Sequence, residues 1–153
     1  MRVPTSAPSP EVATIAAMIT PALFILGSGS LIATVLARIG RIVELVRKIG
    51  DHEAASNTKL SDPHRALLAT LTQRGELAEK ALVSYYAAVV CFVLTCLLIG
   101  INRFVDHVLY VAPIVSAMVG VVLVLSGSAF MVAECRVAMT QLRGEIDEIV
   151  ARQ

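Results

Sequence analysis

Three stretches of this chain contain no Asp, Glu, Lys or Arg: from Glu11 to Arg38, from Lys80 to Arg103, and from Asp106 to Glu134. A helix crosses a hydrocarbon core of about 30 Å with about 20 apolar residues. A charge at mid-bilayer costs at least about 2.5–3.5 kcal/mol on insertion scales. Each stretch is long enough to cross and each avoids that cost, so spans are predicted near 12–37, 81–101 and 110–133. Composition agrees, since 56% of residues are hydrophobic and only 16% are charged, against about 25% charged in ordinary soluble domains. The predicted class is all-α: three transmembrane helices extended into a cytoplasmic helical layer. The first span is too long for a secretory signal and has a single Arg before it, so it is read as a membrane helix.

Lys and Arg set the orientation. Eleven of the thirteen fall between spans one and two or after span three; Arg2 and Arg103 fall on the other side. The positive-inside rule then places the N-terminus outside and the C-terminus in the cytoplasm. Residues 1–10 hold three prolines and read as a disordered extracytoplasmic tail, and 11–153 as a single membrane domain. The outer loop between spans two and three is a short connector at 102–109.

Helical patterning continues past the spans. Ile39, Ile42, Val46 and Ile49 recur at helical spacing, while Arg41, Glu44 and Lys48 take another face. Gly50 is the expected C-cap, followed by a polar loop at 51–61. Asp62-Pro63 reads as an N-cap followed by proline at the first helical position. Leu67, Leu68, Leu71, Ala78 and Leu82 form a stripe leading into span two, and Leu142, Ile146, Ile149 and Val150 form another after span three. The extensions, 38–80 and 134–153, are expected to pack on one another. Lying on the lipid surface is the alternative.

One seam of span one differs from the rest. In alternating three- and four-residue steps, Ala13, Ala16, Thr20, Leu23, Gly27, Ser30, Thr34, Ala37, Arg41, Glu44 and Lys48 follow one another, all but Leu23 small or hydroxylated within the span and charged beyond it. Such a seam either lets helices approach closely or lines a water-filled path ending in a charged ring. Pro21 removes a backbone donor beside Thr20 and predicts a kink with a freed carbonyl. Ser28-Gly29-Ser30 with Arg38 is echoed at the same spacing by Ser126-Gly127-Ser128 with Arg136. Glu134 is expected to pair with Arg38 at the inner interface.

Catalytic and cofactor chemistry have no visible carriers. No His, Asp or Glu lies within a predicted span, which argues against a proton relay or proton-coupled transport. Cys91, Cys96 and Cys135 have no CxxC spacing and read as small buried apolar residues. The expectation is no catalytic residue, no metal and no cofactor, and a chain that is not an enzyme. A net charge of +1 gives no basic field for nucleic acid.

The run Ile19-Thr20-Pro21-Ala22-Leu23, followed by small residues and then Arg38-Ile39-Gly40-Arg41-Ile42-Val43, resembles a bacterial family of small membrane proteins of unknown function. Arg65-Ala66-Leu67-Leu68 through Arg74 is similar to that family's second helix. The resemblance covers most of 12–150. It implies about three membrane helices with a basic helix after the first, and no assigned activity.

Three spans are few for a monomeric transporter, whose midplane site usually needs two repeats, but they suffice for a subunit of a symmetric assembly. Two functions follow. One is a homo-oligomeric channel or pore lined by the first helix. The other is a non-catalytic structural or assembly subunit that docks on other membrane proteins. The bilayer is a partner in both.

Overall fold

The computed structural model describes the backbone of residues 10–56, 62–102 and 111–151, and side chains within 12–51, 68–102, 111–141 and 143–144. The described residues form three α-helices and no strand: α1 (Pro10–Ser56), α2 (Asp62–Asn102) and α3 (Val111–Ala151). All three are long and apolar enough to cross a membrane. At 1.5 Å per residue α1 is about 70 Å long and the others about 60 Å, so each outruns a hydrocarbon core of about 30 Å.

Each span and its extension are one continuous helix. α1 passes Pro21 unbroken and also passes Gly50, which is therefore not a C-cap. The expected loop at 51–61 is helical as far as Ser56, and 57–61 lies outside the described residues. A mid-helix Gly costs about 1 kcal/mol relative to Ala, too little to stop a helix that begins in a membrane span. α2 starts at the Asp62-Pro63 signal. Of the expected tail and outer connector, 1–9 and 103–110 lie outside the described residues.

α2 runs antiparallel to its neighbours and forms the middle of the molecule. It packs extensively on both α1 and α3, whereas α1 scarcely meets α3. Its buried residues are Leu71, Ala78, Ala81, Ser84, Tyr85, Ala88, Phe92 and Thr95, and from Ala78 through Ala81, Tyr85, Ala88 and Phe92 to Thr95 they take the alternating three- and four-residue steps of a heptad seam. The flanking helices answer in steps of seven. α1 buries Pro21, Ser28 and Val35, and α3 buries Gly120, Gly127 and Glu134. A shared 3.5-residue period keeps the seams in contact along long helices.

Size complementarity sets the register of α2 against α3. A Cβ on Gly127 would stand 2.8 Å from the Tyr85 ring, and one on Gly120 would stand 2.7 Å from the Phe92 ring. Both rings are buried to within 1%, so only glycine admits them. Phe92 also stacks on Phe24 of α1, with centroids 5.1 Å apart and planes 17° from parallel. One ring therefore wedges all three helices together.

Hydroxyls add directed bonds to this interface. Ser84 donates to the Leu123 carbonyl at 2.8 Å, and Ser116 donates to the Cys91 carbonyl at 2.9 Å. Ser128 gives its proton to the Val124 carbonyl, so the Tyr85 hydroxyl donates to Ser128, at 3.2 Å. Interhelical bonds of this kind contribute about 0.6 kcal/mol each on average in a membrane protein.

Candidate functional site

Where the three extensions leave the apolar region, their charged residues meet. Glu134 is fully buried. Its Oε2 accepts from Nη1 of Arg38 at 2.7 Å. Its Oε1 accepts from Nε of Arg74 at 3.0 Å and lies 2.9 Å from Arg74 Nη2. One carboxylate thus binds a guanidinium from each of the other two helices. A buried, unpaired carboxylate is prohibitively costly, and the two-sided clamp gives each carboxylate oxygen a charge-assisted hydrogen bond. Arg38 Nη1 also reaches Cys135 Sγ at 3.0 Å. Because α1 and α3 hardly touch elsewhere, Arg38 is a principal tie between them.

The sequence pairs Arg38 with Glu134, and the structure brings these two side chains together. Arg74 was missed. Its signal is the heptad of α2: stepping back by seven from Thr95 gives Ala88, Ala81 and then Arg74. An ionised residue on an otherwise small and apolar seam marks a buried partner.

The second feature is the seam of α1. Thr20, Gly27, Ser30, Thr34, Arg41, Glu44 and Lys48 are all exposed. Thr20, Gly27 and Thr34 each directly precede a buried residue, and Arg41 and Lys48 each precede a half-buried one, so the seam flanks the packed face. Gly27, Gly29 and Gly40 have open space where a Cβ would sit. The Thr34 hydroxyl donates to the Ser30 carbonyl at 3.0 Å. Glu44 and Lys48 stand 3.7 Å apart, one turn separated, both well exposed.

At the end of the molecule away from the charged node, the helices enclose an open cavity of about 790 Å³. Its lining includes Ala17, Thr20, Pro21, Thr95 and Met118. Pro21 has no N–H to offer the Ala17 carbonyl, so the intrahelical bond is missing beside this cavity.

The two Ser-Gly-Ser segments are used differently. Gly127 is covered by Tyr85 while Gly29 is open, and Arg38 is clamped while Arg136 is exposed. The echo therefore reflects no shared contact. All three cysteines are free and only half-buried, which corrects the expectation of full burial. Cys91 lends its carbonyl to Thr95 and Ser116 at the α2–α3 seam, and Cys135 borders a surface groove. No cluster of three or more His, Cys, Asp or Glu side chains suited to a metal occurs among the described residues.

Comparison with known proteins adds one match. No curated protein and no solved structure matches the chain. The family described as "Protein of unknown function (DUF2721)" matches residues 18–144, from within α1 to within α3, and the chain belongs to that family.

Proposed function

We propose that this chain is a non-catalytic subunit of a homo-oligomeric ion channel of the bacterial inner membrane, with the seam of α1 turned toward the symmetry axis. The N-terminus is outside and the C-terminus cytoplasmic, as the Lys and Arg distribution directs. The observation that carries the reading is the exposure of the whole seam from Thr20 to Lys48 on a chain already folded on its other face. Leu, Ile and Val on the outward faces of α2 and α3 suit lipid. A ladder of Thr, Gly and Ser suits neither lipid nor an isolated surface at that depth. Around an axis, its small side chains give a narrow hydroxyl-lined path, and Arg41, Glu44 and Lys48 become rings at its inner mouth.

The mouth carries two cations and one anion per subunit, so it favours anions. The test is ion flux through liposomes holding the purified protein. Conductance with an anion-biased reversal potential is expected, moving toward cations in R41E/K48E. An electrically silent protein across voltage and pH contradicts the reading.

Docking of the seam on a different membrane protein is the second reading. Gly27, Gly29 and Gly40 favour it, since open glycines also admit a partner helix closely. Purification from native membranes with a stable second protein in fixed ratio, and no self-association, selects it.

A further inference from the structure

The outward face of α3 changes character along its length. Up to Val132 it is aliphatic, with Val122 and Leu125 exposed. Beyond Glu134 the same face presents Arg136, Met139, Thr140 and Arg143, all exposed. A groove of about 540 Å³ lies across this change. Met131, Val132 and Met139 form its apolar wall, and Arg136, Thr140 and Arg143 supply its polar groups. Cys135 also lines it, its Sγ 3.0 Å from Arg38 Nη1.

Among the described residues the charge of this region is lopsided. Glu134 is shared by two arginines, so the node sets two cations, 40% and 23% exposed, against one buried carboxyl group. Arg136 and Arg143 pair with no carboxylate among the described residues. Cations on one face therefore accumulate where an apolar helix emerges from the membrane region, and the node adds to their field through a poorly screened interior.

We propose that this groove holds one phospholipid with an anionic headgroup, its phosphate between Arg136 and Arg143 and an acyl chain along Met131 and Val132. The order of groups along the helix, apolar and then cationic, is the order of chain and phosphate in a lipid. Guanidinium forks match phosphate oxygens bidentately, basic pockets at a membrane boundary recruit acidic headgroups, and methionines adapt to an irregular chain. The placement in the cytoplasmic leaflet rests on the orientation proposed above, whereas the binding itself does not.

The experiment is native mass spectrometry of the full-length protein in mild detergent. Phosphatidylglycerol and phosphatidylcholine with identical chains are titrated against wild type, R136Q/R143Q and R136K/R143K. About thirtyfold tighter retention of phosphatidylglycerol is expected for wild type, from about 1 kcal/mol of attraction for each of the two arginines. The ratio falls toward one in R136Q/R143Q and is mostly kept in R136K/R143K, which holds the charge even if the first variant folds poorly. Equal retention of the two lipids by wild type, or an unchanged preference in a folded R136Q/R143Q, overturns the proposal. Stripping of the bound lipid by millimolar inorganic phosphate assigns the site to a free anion and also overturns it. Channel activity enters none of these readouts, so the lipid site and the pore stand or fall separately.

Discussion

Glu134 is the residue on which all three helices depend, because it is the shared acceptor of Arg38 and Arg74. Removing one member of a buried ion pair typically costs about 3–5 kcal/mol, since the remaining charges lose their partner. E134A is therefore expected to lose stability in that range, measured by titrating the solubilised protein with a denaturing detergent. The loss on R74A should exceed that on R38A, whose side chain is 40% exposed against 23% for Arg74. Replacing all three by leucine should recover most of the loss, as apolar substitutes for buried ion triads do. A triple variant weaker than E134A would show that the node contributes bonds that packing cannot replace. The Arg38 side of this node is visible in the sequence because Glu134 and Arg38 both sit where an apolar run ends. Arg74 is hidden because a lone arginine amid Thr, Gln and Glu looks like any solvated helix face until the α2 register is known.

The elements are legible to very different degrees. The three helices follow from the charge-free stretches alone, because desolvation of charge is the largest energy at stake in a membrane span. Helix ends follow less well. Asp62-Pro63 marks the start of α2, where the side chain and the fixed φ both favour initiation. Gly50 does not mark the end of α1, because a glycine stops a helix only when a left-handed turn and its capping bonds compete successfully. That difference is measurable. With open space around its missing Cβ, G50A should strengthen the α1 extension by about 1 kcal/mol and slow amide exchange in the flanking turns. Faster exchange would mean that a left-handed cap forms at this position. The pairing of helices is the part least visible beforehand. It lies in two glycines of α3, Gly120 and Gly127, whose spacing matches Phe92 and Tyr85 of α2, and small residues carry no sign of the ring that fills them.

As a whole, the described residues form a three-helix layer with α2 between its neighbours, clamped partway along by the charged node where the extensions begin and opening at one end around the cavity beside Pro21. One face of α1 presents exposed small and hydroxylated residues: Thr20, Gly27, Ser30 and Thr34. The account turns on what covers that face. The most direct measurement is disulfide cross-linking in membranes, in a variant lacking Cys91, Cys96 and Cys135, with single cysteines placed at Gly27 or Thr34 on the seam and at Leu125 on the aliphatic face of α3. Covalent dimers of this chain from G27C and T34C, together with monomers from L125C, are the predicted result. Monomers from both seam positions, or dimers from L125C alone, would contradict it.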